Sequence, residues 1–523
     1  MTVHYDRSGV LEVLGDLEHP VVVVRTADGV GVSNHGLAGA ATGHELLASA
    51  PPLPPTQLGA ADFRAAHGTR FAYMGGAMAN GIASEELVIA LARAGCLGSF
   101  GAAGLLPERI ERALDRFARE LDGEPFACNL IHSPHEEALE RGAVELFLRH
   151  GVRCVEASAF IDITRHIVRY RVTGLETGPD GRVLARNRVI AKVSREEVAE
   201  RFMRPAPREL VAALLADGLV TPEQAELAAR VPLAADVTVE ADSGGHTDRR
   251  PLLALLPAIL RLAARVEREE GYEERLRVGA GGGIGTPQAA WAAFAAGAAY
   301  IVTGSVNQAC VESGACEHTK VLLAEAGVAD CAMAPAADMF ELGVELQVLR
   351  RGTLFPMRAR KLLELYRTYD GIEALPAEER FKLETQVFRR SLDEVWEETV
   401  AYFDRRDPEQ IARAGEQPKR RMALVFRWYL GMASRWSIVG DPERRLDYQI
   451  WCGPAMGAFN DWVRGTYMEQ PGERRVADVA WHLLHGAAIA ARVSTLRIAG
   501  VQLPAPATDY RPRERVAALC EAA

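Results

Sequence analysis

The chain has 523 residues, 48% of them hydrophobic and 25% charged, with a formal net charge of −10. That length exceeds one ordinary core, so a large domain plus a substantial appendage is expected, and the composition excludes a disordered or fibrous class. The negative balance argues against a general nucleic-acid binder, and no window approaches a bilayer-spanning apolar run; the apolar residues 21–24 are far too few. With no basic leader followed by an apolar stretch, a cytoplasmic location is expected. The eight cysteines contain no C-x-x-C pair and read as reduced thiols. Cys316 and His318 lie close together, but two ligands without a second pair do not make a metal site, and none is expected.

Residues 1 to about 60 read as an N-terminal extension ending in Pro51, Pro52, Pro54 and Pro55, whose fixed φ angles suit an extended connector. Residues 71–75 then read as a strand, followed by a helix with Ser84 at its cap. Leu97–Phe100 and Phe126–Ile131 are the second and third strands, 153–157 the fourth and 189–193 the fifth, with helices between them. The segment RYRVTGLETGPDGRVLARN reads as a hairpin turning at Asp180 and Gly181. Strands six, seven and eight begin at Val237, Arg277 and Ala299.

Eight strands alternating with helices predict an α/β fold of the (β/α)8 TIM-barrel type over residues 61–330. The alternative is an open doubly wound sheet. Against it, the first strand exits into MGGAMANG, which does not fit the G-x-G-x-x-G dinucleotide fingerprint. From about 331 to 523 long helical stretches and most of the tryptophans predict a mainly helical C-terminal domain packed over the barrel.

Three segments carry the chemistry: VTVEADSGGH ending at His246, LRVGAGGGIG containing Gly281, Gly282 and Gly283, and YIVTGS ending in Gly304 and Ser305. Each is a β-branched strand running into glycines, at the strand end where barrel enzymes place their sites. Bare backbone N–H groups ahead of a helix opened by Thr286 and Pro287 suit a phosphate, and paired phosphate loops after the last two strands point to a ligand such as flavin mononucleotide (FMN).

Six segments, AYMGGAMANGIASEELV, ACNLIHSP, EADSGGHTDRRP, GAGGGIGTPQAA, APAADMFELGVELQVLRRGTLFPMRA and DYQIWCGPAMGAFNDW, resemble the PfaD family of trans-acting enoyl reductases. That family serves polyunsaturated-fatty-acid and polyketide synthases and is related to the nitronate monooxygenases. The resemblance implies an FMN-dependent barrel that takes hydride from NADPH and delivers it to an α,β-unsaturated thioester on an acyl carrier protein. It implies that Gly76, Ala77 and Met78 pass beside the flavin, that the Asn129 amide faces the ring's polar edge, and that Lys192 puts positive charge near its pyrimidine side. The phosphate falls to Gly282, Gly283, Gly304 and Ser305. His246 matches the histidine of the superfamily's G-G-H loop, as proton donor or as donor to the thioester oxygen. Glu240 and Asp242 compete for the carboxylate position before that loop.

Each residue has a plainer reading: Asn129 as a turn cap, Lys192 as a lysine paired with a carboxylate, His132 and His135 as surface or capping groups. Carrier docking is expected at one of two basic groups, Lys419, Arg420, Arg421, Arg427 and Arg435, or Arg350, Arg351, Arg358 and Lys361, each of which also reads as a solvated helix face. The aromatics of DYQIWCGPAMGAFNDW read as an acyl-tunnel wall or as core packing. A homodimer is expected from the family relation. The competing functions are a nitronate monooxygenase and a synthase-associated scaffold without catalysis.

Overall fold

The computed structural model describes residues 2–35, 44–132, 137–504 and 508–515, so His135 and Cys520 lie outside the described residues. Eight parallel strands close into a barrel: β1 (Tyr73–Gly75), β2 (Leu97–Phe100), β3 (Phe126–Ile131), β4 (Cys154–Ser158), β5 (Arg188–Val193), β6 (Asp236–Glu240), β7 (Arg277–Gly281) and β8 (Ile301–Thr303). Closure comes from β8 pairing with β1, Ile301 opposite Tyr73 and Thr303 opposite Gly75. The strands are short and nearly wholly buried, as strands covered on both faces are. The (β/α)8 expectation is borne out.

The helices form for local reasons. The Ser84 hydroxyl accepts from the Leu87 N–H at 3.1 Å and starts Glu85–Arg93. Pro107–Glu120 buries Ile110, Ala113, Leu114 and Phe117 along one stripe and leaves its other face charged. At the N-terminal end of the barrel, Arg277 grips Asp236 through two hydrogen bonds of 2.6 and 2.8 Å, and His67 adds a third contact at 3.0 Å. All three side chains are essentially sealed from solvent. Burial opposes the Asp236 charge, but His67 and Arg277 outweigh it and hold the carboxyl well below its usual range. This plug closes the floor and leaves the opposite rim for chemistry.

Four segments differ from expectation. The N-terminal extension is folded: a helix, Arg7–Gly15, lies with an antiparallel sheet in which Val21–Thr26 is flanked by Gly29–Ser33 and Glu45–Ala50. Its anchor is Arg492 of the long helix Val476–Ile498, whose buried guanidinium donates to the carbonyls of Leu14, Asp16, Leu17 and His19. The stretch RYRVT finishes the helix Arg165–Thr173, and the hairpin is confined to Leu175–Thr177 and Val183–Ala185. Residues from 331 do not begin with helix. Cys331–Pro335 and Glu345–Leu349 pair antiparallel, and Glu345–Leu349 also pairs with the two residues Gly245–His246. Gly343, at φ 69°, turns the chain between the hairpin strands. Strands this short, next to strongly helical sequence, carry too few alternations to announce themselves. Finally, β1 and β8 are shorter than their predicted segments.

Beyond the hairpin the chain is helical, with Phe355–Thr368, Leu392–Arg406, Pro408–Glu416, Pro418–Val439, Ala455–Val463 and Val476–Ile498 as its main elements. No helix among the described residues is long and apolar enough to cross a membrane.

Candidate active site

The carboxyl ends of the barrel strands open into a cavity of about 2300 Å³, roofed by the 331–349 hairpin and by helix Pro418–Val439. The residues assigned from the sequence to catalysis and to the flavin all line it: Gly76, Ala77, Met78, Asn129, Lys192, His246, Gly281, Gly282, Gly283, Gly304 and Ser305.

The glycines differ in what they do. Gly282 and Gly283 sit at φ 84° and 74°, in left-handed backbone that glycine adopts without strain. A Cβ on Gly282 would stand 2.8 Å from the Ala241 carbonyl carbon, so this turn packs directly on the chain leading to His246. A Cβ on Gly76 would stand 2.8 Å from Val302 Cγ1. At Gly283 and Gly304 a Cβ would meet nothing within 4 Å. These two therefore present bare backbone to the cavity. The Ser305 hydroxyl accepts the Gly453 N–H at 3.0 Å, tying this loop to the C-terminal half.

A diagonal of charge climbs the inner wall. Glu156 on β4, Lys192 on β5 and Glu240 on β6 each lie two residues further along than the neighbouring strand's pairing position, Glu156 being opposite Ile190 and Lys192 opposite Thr238. Residues two apart on a strand share a face, so all three point inward. Lys192 Nζ meets Glu240 Oε1 at 3.0 Å. Burial works against the ammonium, but the charges of Glu240 and then Glu156 outweigh it and raise its pKa. Glu156 is 1% exposed, and its Oε2 accepts the Ala77 N–H at 2.8 Å, fixing the β1 exit. Burial pushes its pKa up, against the pull of Lys192. Of the two candidate carboxylates before the G-G-H loop, Glu240 takes the inward place. Asp242 instead accepts from Gln347 Nε2 at 2.8 Å and ties the loop to the hairpin.

Asn129 spends both amide hydrogens on the barrel, on the Glu156 carbonyl at 3.2 Å and the Ser158 hydroxyl at 3.0 Å. Only its amide oxygen is left to face the cavity.

His246 is held by the hairpin that its own short strand joins. Its Nε2 lies 3.1 Å from Asp338 Oδ1, and Asp338 comes from the hairpin loop, 92 residues away in the chain. Burial disfavours the imidazolium, yet the hydrogen bond and charge of Asp338 outweigh that and raise the His246 pKa. Burial likewise opposes the Asp338 charge, and His246 holds it below the usual carboxylate range, with Arg427 adding to the effect. Neither Asp338 nor Glu156 stands out in the sequence. The first lies in a stretch of the family resemblance with no pattern that pairs it to His246, and the second reads as an ordinary strand residue, because only the fold brings their partners near.

Other expectations resolve plainly. His132 contacts Glu140 at 3.1 Å and stacks on Phe160. Cys316 caps helix Glu317–Ala324 through its sulfur. Lys419 donates to the Tyr366 and Tyr369 carbonyls, Arg421 pairs with Glu373 and Asp393, Arg358 pairs with buried Asp447, and Lys361 pairs with Glu379. Neither basic group is thus a free patch, and of the nine residues only Arg427 and Arg435 line the cavity. In DYQIWCGPAMGAFNDW, Trp451 alone among the aromatics lines it, while Tyr448, Phe459 and Trp462 are core.

Residues 67–360 match the nitronate monooxygenase family, more than half of the 523-residue chain. The chain belongs to the nitronate monooxygenase family, a family of oxidoreductases. Within this family member, residues 1–52 match the fatty acid synthase subunit PfaD N-terminal domain, and residues 369–448 match the inserted helical domain of [acyl-carrier-protein] S-malonyltransferase. The enoyl reductase domain of MlnA, from the macrolactin biosynthesis cluster of Bacillus amyloliquefaciens, is 37% identical with a TM-score of 0.81, covering 84% of this chain and all of that one. A polyunsaturated fatty acid synthase polypeptide of Thraustochytrium sp. is 52% identical across 84% of this chain, and polyketide biosynthesis protein PksE of Bacillus subtilis is 43% identical across 83%. The chain spans 30% and 56% of the length of these two relatives.

Proposed function

We propose that this family member is an enoyl reductase acting on α,β-unsaturated thioesters held by an acyl carrier protein of a polyketide or polyunsaturated-fatty-acid synthase. The observation that carries the reading is the His246–Asp338 pair lining the same large cavity as bare glycine backbone. Support for FMN in that cavity comes from the glycines. Gly283 and Gly304 leave open backbone for a phosphate, and the close approach at Gly282 leaves no room for a side chain there. Lys192, half-buried and cationic, suits the ring edge that becomes electron-rich on reduction. The Asn129 oxygen and the Ala77–Met78 backbone would contact the ring. When bound, the flavin supplies two-electron hydride chemistry between NADPH and the thioester's β-carbon.

The chain's own residues do the rest. With Asp338 accepting from Nε2–H, His246 keeps Nδ1 for the substrate, and its raised pKa favours the protonated form that gives a proton to the α-carbon or binds the thioester oxygen. Asp338 fixes the ring's orientation and tautomer. Glu156 holds the Ala77 backbone, and so the shape of the flavin's bed. The hairpin that carries Asp338 covers one side of the cavity beside His246.

The second reading, an oxygen-using nitronate monooxygenase, is favoured by the family match over residues 67–360. One experiment separates the two. The FMN-loaded protein is reduced by NADPH without oxygen, and recovery of flavin absorbance is followed after adding crotonyl-coenzyme A or an alkyl nitronate. Recovery with the thioester is expected. Indifference to the thioester, with oxygen uptake on the nitronate under air, would move the function to the monooxygenase.

A further inference from the structure

Six arginines line the cavity, and most are already committed. Arg109 grips Glu85 at 2.6 and 2.8 Å, Arg195 meets Asp248 at 3.0 Å, Arg201 meets Asp162 at 2.8 Å and Arg427 meets Glu341 at 3.4 Å. Arg249 and Arg435 have no side-chain hydrogen bond or ion pair among the described residues. A positive charge left free at a cavity wall is a place for an anion.

The surroundings of Arg435 say which anion. It lies on helix Pro418–Val439, where Arg427, Gly431 and Arg435 recur every four residues and form one stripe facing the cavity. The stripe runs two turns, ~12 Å. Its inner end, Arg427, is largely buried and its charge acts on Asp338, the partner of His246. Its outer end adjoins Val439, which is 64% exposed. Between the two arginines stands a glycine, among the worst residues for a helix interior, and here no packing requires it: a Cβ on Gly431 would meet nothing within 4 Å. The missing side chain leaves the cavity wall open between the two arginines. Trp428 and Met432 flank it with apolar surface. The helix also lies inside the 369–448 segment that matches the helical insert of [acyl-carrier-protein] S-malonyltransferase.

We infer that the Arg427–Gly431–Arg435 face is the entry groove for the pantetheine arm of the thioester, with the Arg435 guanidinium binding the phosphodiester by which that arm is attached. A guanidinium fork matches two phosphate oxygens, and Gly431 admits the thin amide chain below it. This rests on the carrier-thioester reading above.

The test compares three crotonyl thioesters under NADPH with FMN-loaded protein: on holo acyl carrier protein, on coenzyme A, and on N-acetylcysteamine, which has no phosphate. Arg435→Ala is expected to raise KM about tenfold for the first two with kcat kept, the loss of one charge-assisted contact, and to move KM for the third less than about twofold. Arg435→Lys should recover part of the loss. Gly431→Leu, whose Cβ meets nothing within 4 Å, should melt no lower than the wild type and raise KM for the carrier and coenzyme A substrates. An equal effect of Arg435→Ala on all three thioesters, or none on any, overturns the inference. A penalty with the carrier protein alone would mean that Arg435 touches the carrier's body, and a penalty in Arg249→Ala instead would place the anion on the other free arginine; both overturn it as well. Wild-type protein that reduces none of the three overturns the enoyl reductase reading itself, and the groove with it.

Discussion

At the level of single residues, the chemistry depends on His246 and Asp338. Because the aspartate raises the histidine's pKa, the proton-donating form persists to higher pH than it would alone. Asp338→Asn removes the charge and keeps the shape, so the alkaline limb of kcat/KM should move to lower pH, as a pH–rate profile will show; an unmoved limb would remove Asp338 from the site. The same pair links pH to stability. The raised histidine pKa contributes stability that is full below its ordinary value of 6.5 and lost as pH rises through the folded value. The depressed aspartate pKa contributes above its ordinary value of 3.8 and is lost on acidification. The pair therefore stabilises the hairpin roof most between those two values, and denaturant midpoints of wild type and Asp338→Asn should diverge there. His246 is legible in the sequence because two glycines and a strand announce it. Asp338 is not: it lies within the APAADMFELG stretch of the family resemblance, but 92 residues separate it from the histidine and no local pattern pairs the two.

At the scale of elements, the barrel strands and helices follow from local pattern: buried β-branched runs, a serine cap, apolar stripes at helical spacing. What escaped the sequence was pairing between distant pieces. The 331–349 hairpin is five residues a side and gains its place by pairing with Gly245–His246, a contact invisible to any local window. The basic groups show a related effect: charges that look free along the chain, such as Arg358 and Lys419, have partners from other helices or carbonyls. Gly431 is the converse case, an interior helix glycine with open space at its Cβ. Gly431→Ala should stabilise the protein by about 1 kcal/mol in chemical denaturation, from helix propensity alone. A loss of stability would mean that the glycine serves packing and not the groove.

On the scale of the whole molecule, two buried arginines join parts that the sequence shows only as separate. Arg277 ties β7 to Asp236 of β6 on the barrel floor, and Arg492 ties the C-terminal helix to four carbonyls of the N-terminal unit. Arg492→Ala would take a donor from all four carbonyls, of which Leu17 keeps the Leu53 N–H, a penalty of about 2–4 kcal/mol, and should make the N-terminal 50 residues the first to be cut in limited proteolysis. Cleavage beginning elsewhere would contradict that anchoring role. The central claim, however, concerns what the assembled cavity does, and intact-mass spectrometry of crotonyl-loaded acyl carrier protein addresses it most directly. After incubation with FMN-loaded protein and NADPH, the account predicts a gain of two hydrogens on the acyl group, absent without NADPH and strongly slowed in His246→Ala. An unchanged mass with fully flavin-loaded wild-type protein would contradict it.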